Sequence, residues 1–525
     1  MNRRTFTKFG VASALATSGT PLALSGLAQS PSLTGELRID PSGAPISFNP
    51  MIFGQFLEHF HRQVYGGIFD PGSPLSDERG FRLDVVEALR ELKVPIVRWP
   101  GGCFVSTYHW QDGVGRVRKP SFSKAWGVED PNTFGTDEFV EWCKLIGAEP
   151  YLCTNAGTGT NEEMSDWVEY CNLKQQGRFA RVRASNGHPE PYKVRYWSIG
   201  NENYFSTELG SKTAEEWPPL VRESAKLMRA VDPDLKLLAA ATVDGNWTEP
   251  MLKYAGKYID MISIHGYWDF LWEWNTKPAD YLHSVAKSGQ PEQQIQKAIQ
   301  LLQKTGTDNR IRIAFDEWNL RSWHHPDFPG GGASKLAAIQ DRDENDRNEV
   351  YTMADAVFTA SFLNGCLRNA KYVQMACMAP VVNVRGPLYV HPKGVVRRTT
   401  FHVLKMYSSL LEPEVVPVTL SGGDLSVDGK SFPALDAVVT RSTDGRRVAI
   451  ALVNRDPERA AQFGLSIGAL QPRSAISMTV LDGDSPNAFN DVLHPERVKP
   501  RTQQLAASTA LQIPPHSLSV ASYSL

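Results

Sequence analysis

Short apolar runs, each ended by a polar residue, Gly or Pro, recur eight times between residues 51 and 376. They are Met51–Gln55, Ile96–Trp99, Pro150–Thr154, Tyr196–Ile199, Lys236–Ala240, Met261–Ile264, Ile311–Phe315 and Tyr372–Ala376. Runs of this length are too short for helices and read as buried strands. Between them, Phe81–Lys93, Thr136–Ile146 and Ala214–Val231 place apolar residues at helical spacing. Eight strands alternating with helices predict an α/β fold, a (β/α)8 TIM barrel with loop insertions. A doubly wound open sheet is the alternative. It is disfavoured because no Gly-rich phosphate loop follows the first strand.

Past about residue 410 the period changes. Asp436–Val439, Arg447–Val453, Ala475–Leu481 and Leu518–Tyr523 are β-rich runs punctuated by Gly, Pro, Asn and Asp. They predict a C-terminal antiparallel β-sandwich, jelly-roll-like in character. Gly35–Ile39, ahead of the barrel, could join it, and the lack of a low-complexity linker predicts that barrel and sandwich pack together. The expected division is a leader over 1–28, an N-terminal strand segment over 31–47, the barrel over 48–405 and the sandwich over 406–525. The leader carries Arg3-Arg4-Thr5-Phe6, a weakly apolar stretch to Leu24 and small residues up to Ala28. This is a twin-arginine pattern, and it predicts bacterial export to the periplasm or beyond, with no membrane association once the leader is removed.

Charge removes several function classes. With 55 basic and 57 acidic residues and a formal net charge of −2, nothing calls for nucleic acid or an anionic membrane. The six cysteines lack CxxC spacing, so a zinc site or a disulfide scaffold is not expected and the thiols should be mostly free and buried. His59 and His61 are spaced as strand metal ligands can be, and His324-His325 lie near Asp327, but no third ligand is evident. No metal and no cofactor are expected.

The chemistry sits at the strand ends. Tyr196–Ile199 runs into Gly200-Asn201-Glu202, and Ile311–Phe315 into Asp316-Glu317-Trp318-Asn319. Two glutamates at the C-terminal lips of two barrel strands can meet across one mouth, as retaining glycoside hydrolysis requires. Glu202, beside Trp197 and Tyr204, is the better acid/base, because partial desolvation there would keep its carboxyl protonated. Glu317 is the better nucleophile. Asn201, Glu58, His265 and Tyr267 lie at the ends of their own strands and converge on the same face, with His265 expected against the acid and Tyr267 against the nucleophile. The paired glycines of Pro100-Gly101-Gly102-Cys103 let backbone approach a ligand closely. Trp110, Trp126, Trp268 and Trp318 could offer faces to sugar C–H groups, although most of the 13 tryptophans belong to ordinary core. The Gly-rich run Pro329–Ala333 reads as a rim loop.

At these residues the chain resembles the α-L-arabinofuranosidases of glycoside hydrolase family 51. The resemblance runs through Ile52–His59, Arg98–Ser106 with Trp110–Gly115, Phe134–Phe139, Asn155–Gly159, Trp167–Asn172, Asn186–His188, Gly200–Glu202 and Phe315–Asn319. It continues in the tail through Asn487–Asn490, Pro495–Val498 and Ile513–Ser517. It implies a carbohydrate substrate, an exo-acting retaining mechanism with a covalent glycosyl intermediate on Glu317, and Glu202 switching from acid to base. It further implies furanose contacts from Glu58 and Asn201, support from His265 and Tyr267, and a homo-oligomer of unspecified number. Three departures bear on the sugar pocket. Cys103 stands where the family often has asparagine, and Asn203–Glu208 replaces a common Met-Asp-Gly-Pro-Trp-Gln. Arg398 stands where an Arg-Gln-Thr sequence usually supplies a glutamine. Arabinose versus galactofuranose is therefore open. A galactofuranosidase, an endo-β-glucanase or a non-catalytic sugar-binding protein are the competing readings.

Overall fold

A computed structural model describes residues 32–271, 277–322 and 348–525. Eight parallel strands close into a barrel in chain order: β1 (Gly54–Phe56), β2 (Ile96–Trp99), β3 (Glu149–Thr154), β4 (Tyr196–Ile199), β5 (Lys236–Ala240), β6 (Met261–Asp269), β7 (Arg312–Arg321) and β8 (Val373–Met378). Strands β8 and β1 complete the circle through Cys377 opposite Gly54. The expected first strand begins too early. Asn49 Oδ1 accepts the Met51 N–H at 3.1 Å and winds Pro50–Phe53 into a 3-10 turn, so extended pairing starts only at Gly54.

Two apolar layers follow from strand alternation. Phe56, Ile96, Tyr151, Tyr196, Leu238, Met261, Ala314 and Met375 fill the barrel interior. The opposite side chains, such as Val97, Trp99, Leu152 and Trp197, pack in the layer shared with the surrounding helices. Helix Leu83–Leu92 ends on Lys93 in the left-handed conformation and Thr136–Ile146 on Gly147, both backbone caps. The third predicted helix starts at Trp217, later than its apolar pattern, with proline in its first turn, where the missing N–H costs nothing.

The tail forms two sheets. Seven strands lie in the order Ile46–Ser47, Glu414–Val416, Leu435–Arg441, Arg447–Asn454, Ser517–Ser524, Ile476–Leu481 and Arg501–Leu505. Four more follow the order Val418–Ser421, Leu33–Ile39, Ala461–Ser466 and Ala510–Ile513. The N-terminal strand thus sits inside the second sheet, antiparallel to Val418–Ser421 but parallel to Ala461–Ser466. This is one exception to the antiparallel pattern. The barrel helix Met353–Arg368 packs on the larger sheet, where Arg368 Nη1 donates to Asp436 Oδ1 at 2.6 Å and Arg455 Nη2 donates to Ser361 Oγ at 3.0 Å. None of the six cysteines is paired in a disulfide. No described helix is long and apolar enough to cross a membrane. The Arg3-Arg4 leader, His324-His325 and the Pro329–Ala333 run lie outside the described residues.

Candidate active site

Strand β7 delivers the nucleophile candidate through a break in its register. Its pairing with β6 shifts between Ser263 and His265, and its pairing with β8 shifts between Phe315 and Trp318. A strand otherwise alternates sides, so such an irregularity lets two consecutive residues face the same way. Asp316 and Glu317 both turn inward. Asp316 accepts from Tyr151 Oη at 2.6 Å and Ser263 Oγ at 2.7 Å. Glu317 Oε2 accepts from Arg98 Nη1 at 2.7 Å, and its Oε1 accepts from Tyr267 Oη at 2.8 Å.

Arg98 organises this wall. It projects into the barrel from β2, fully buried, with its guanidinium 5.0 Å from the centre of the Phe56 ring. Besides Glu317 it donates from Nη2 to Asn201 Oδ1 at 2.6 Å, and its Nε lies 3.5 Å from Asp316 Oδ2. Burial pushes the Glu317 carboxyl up, but His265, Arg98 and the Tyr267 hydroxyl more than offset it and hold the group below the ordinary carboxylate range. Asp316 is likewise held low against its burial, chiefly by Arg98 and then His265. Burial pulls the His265 imidazole down, yet Glu317, Asp316 and Glu202 push it up to about 10. The result is two buried cations facing two buried anions, the arrangement that burying charges demands.

The opposite wall comes from the end of β4. Gly200 and Glu202 both take left-handed backbone, at φ 71° and 46°. A side chain at Gly200 would collide with Asn203 Oδ1 at 2.1 Å and the Trp217 ring at 2.7 Å. The turn aims Glu202 across the mouth, where its Oε1 lies 2.9 Å from His265 Nδ1. One oxygen of Glu202, one of Glu317 and a ring nitrogen of His265 all lie within 4.8 Å of one another. Cys103, Glu202 and Glu208 make a second group of the same tightness. Glu208 accepts from Ser106 Oγ at 2.5 Å and is bonded by the Cys103 thiol; burial pushes its carboxyl up to about 7. Either trio has ligand types a metal ion accepts; within them His265 bonds Glu202 and the Cys103 thiol bonds Glu208.

Glu58 closes the floor. Its Oε1 accepts from the Gly102 and Phe104 N–H groups at 3.0 Å each and from Trp126 Nε1 at 3.1 Å. Burial, then the nearby Glu317 charge, pushes this carboxyl up to about 8. Gly102 has to be small: a Cβ there would stand 3.1 Å from Glu317 Oε2 and 3.5 Å from Glu58 Oε1.

Residues 88–281 match the family described as "Alpha-L-arabinofuranosidase 1 domain", and residues 316–517 match "Alpha-L-arabinofuranosidase C-terminal domain". A probable α-L-arabinofuranosidase C of Aspergillus clavatus is 35% identical over 87% of this chain and 91% of its own. An intracellular exo-α-(1→5)-L-arabinofuranosidase of Halalkalibacterium halodurans is 31% identical over 87% of this chain and 92% of its own. The chain belongs to glycoside hydrolase family 51. Among solved structures, an arabinose complex of the α-L-arabinofuranosidase of Thermotoga maritima superposes with a TM-score of 0.83 at 33% identity, covering 94% of this chain and all of that one.

Of the site residues expected from the family 51 resemblance and from strand ends, Glu58, Asn201, Glu202, His265, Tyr267, Glu317, Cys103 and Trp126 come together around this mouth. Two do not. Trp318 is fully buried, its ring stacked on Phe362 with centroids 3.6 Å apart. The register break that turns both acids inward sends Trp318 outward into the helix layer, so it has no face for a sugar. Arg398 is also fully buried, donating to Asn348 Oδ1 at 2.6 Å and to the Val384 and Gly386 carbonyls, with Tyr351 against its guanidinium. It holds loop backbone instead of reaching the mouth. Trp110 and Trp268 pack among Trp167, Phe315 and Phe358 in core positions. His59 pairs with Asp130 at 2.7 Å and stacks on Phe104, which accounts for it without a metal. Residues that went unsingled are Arg98, Asp316, Tyr151, Glu208 and Arg385, the last donating to Tyr267 Oη at 2.7 Å. For Arg98 the signal was present, because a charge at an inward position of a short buried strand needs partners there.

Proposed function

We propose that this family 51 glycoside hydrolase is a retaining, exo-acting α-L-arabinofuranosidase that releases terminal arabinofuranosyl residues from arabinose-containing chains. The observation that carries the reading is the approach of Glu202 and Glu317 oxygens to within 4.8 Å. That spacing leaves no room for a water between carboxylate and anomeric carbon, as an inverting reaction would need.

In the first step a Glu317 oxygen bonds to the anomeric carbon while the glycosidic bond breaks, and Glu202 gives its proton to the departing oxygen. Arg98 and Tyr267 hold the Glu317 carboxylate ionised and aimed, so orientation is built before substrate arrives. In the second step Glu202, now ionised, takes a proton from water, whose oxygen displaces Glu317. Glu58 and the Asn201 side-chain amide, whose Nδ2 is buried without a partner, are the groups offered to furanose hydroxyls. The printed activities of the Aspergillus and Halalkalibacterium relatives support the same substrate class. Export through the Arg3-Arg4 leader is part of this proposal, resting on the sequence pattern alone.

The test is hydrolysis of 4-nitrophenyl α-L-arabinofuranoside by the mature protein and by Glu317→Ala. The account expects turnover by the parent, a loss of about 10⁴-fold or more in the variant, and partial rescue by azide. A folded parent that turns over only the β-D-galactofuranoside would move the substrate assignment while leaving the carboxylate pair in place.

A further inference from the structure

The acid/base glutamate protonates the leaving oxygen, so whatever is attached to that oxygen must lie beside Glu202 on the side away from Glu317. The chain continues from the Glu202 turn through Asn203–Glu208, the stretch that stands in place of the Met-Asp-Gly-Pro-Trp-Gln of the family resemblance. It is a loop closed by its own backbone hydrogen bonds. The Phe205 N–H donates to the Glu202 carbonyl at 2.8 Å, Lys212 N–H donates to the Asn203 carbonyl at 2.7 Å, and Gly210 packs its backbone on Gly157.

Its side chains sort sharply. Glu208 turns inward, 7% exposed, whereas Phe205 and Leu209 face solvent at 50% and 38%. The Phe205 ring is thus left half exposed three residues past Glu202, in a loop that buries its polar neighbour Glu208. The ring is also supported from below. Phe205 lies 4.5 Å from Tyr204, Tyr204 lies 5.6 Å from Trp247, and Trp247 stacks at 5.2 Å on Trp217. Trp217 is fully buried and donates from Nε1 to the Ala240 carbonyl at the end of β5. Burial and then the nearby Glu202 and Glu317 charges push the Tyr204 phenol well up, so this end of the ladder lies near the reacting pair.

We propose that Phe205 is a specificity-determining residue whose ring is the platform for the first sugar of the leaving group. A flat, apolar and pre-oriented ring suits the C–H face of a pentose or hexose, with little entropy lost on binding. The inference rests on the proposed glycosidase function and adds which side chain reads the leaving group.

The experiment compares kcat/KM for an α-1,5-linked arabinobiose with that for α-L-arabinofuranosyl fluoride, whose leaving group has no ring to stack. Parent, Phe205→Ala and Phe205→Tyr are measured. The ratio of the two substrates should fall about three- to tenfold in Phe205→Ala, the range of one aromatic contact, and return to within twofold of the parent in Phe205→Tyr. An unchanged ratio in Phe205→Ala, an equal loss on both substrates, or failure of tyrosine to restore it would overturn the proposal. The fluoride assay of the parent tests the underlying reading separately. If the parent turns over neither substrate, the proposed function falls, and with it the leaving group this ring would hold.

Discussion

The two walls of the active-site mouth are built differently. Glu317 stands on a barrel strand and is locked by Arg98 and Tyr267, themselves on β2 and β6, with Asp316, Tyr151 and Ser263 behind them. Glu202 stands on a left-handed turn, touched by His265 and followed by the loop of residues 203–212. One wall is made of strands that cannot change without disturbing barrel closure. The other is a loop that can vary while the acid stays in place. The proposed function thus assigns reaction type to the strand wall and substrate range to the loop wall, a division of labour open to experiment.

The largest effect should come from the strand wall. Arg98→Lys keeps the charge but cannot fork between Glu317 and Asn201. A loss of about 10²- to 10³-fold in kcat/KM is expected, in line with disrupting a buried charged pair, read by steady-state kinetics beside a melting curve. A loss below tenfold would mean that the arginine only fills space. Gly102→Ala should cost less, about ten- to a hundredfold in kcat/KM, because a methyl 3.1 Å from Glu317 Oε2 displaces the reacting groups by a fraction of an ångström. Its melting temperature should barely move, since the methyl points into the mouth and not into core.

Stability against pH separates the walls next. His265, ordinarily near 6.5, is held up to about 10 in the fold, so the folded state binds its proton more tightly than the unfolded chain. Its contribution is full below about pH 6.5 and disappears as pH rises toward 10. Glu58 and Glu208, raised from 4.5 to about 8 and about 7, act with the same sign over lower windows. Unfolding free energy measured by denaturant titration should fall steadily from pH 6 to pH 10, and His265→Gln should flatten the upper part of that profile. The smallest effect belongs to the loop wall. Glu208→Gln preserves an acceptor for Ser106 and Cys103 and removes a carboxyl that must ionise in a buried place. It should leave kcat/KM within about threefold and raise stability above pH 7; a large activity loss would erase the distinction between the walls.

Sequence reading recovered the parts governed by short-range pattern. Strands Tyr196–Ile199 and Lys236–Ala240 and helix Thr136–Ile146 have the bounds their apolar runs predict. Two of the three end at a glycine, Gly200 and Gly147. Glu202 and Glu317 stood out only as a pair, because one carboxylate after a buried strand is often a structural ion-pair partner, whereas two at matching strand ends can meet across one barrel mouth. Trp318 was misplaced because alternation from Glu317 says nothing of a register break set by the neighbouring strands β6 and β8. Arg398 was misplaced because the resemblance gives its position in the chain and not its partners, Asn348 and two loop carbonyls. Tyr151 and Arg385 meet Asp316 and Tyr267 across the barrel, contacts with no trace along the sequence.

The central claim is that the Glu202–Glu317 spacing enforces retention. It is tested most directly by following cleavage of an aryl α-L-arabinofuranoside in aqueous methanol by proton NMR and reading the first-formed methyl glycoside. The account predicts methyl α-L-arabinofuranoside, formed by methanol displacing Glu317 from the glycosyl-enzyme. Methyl β-L-arabinofuranoside, or arabinose formed first as the β anomer with no methyl transfer, would contradict it.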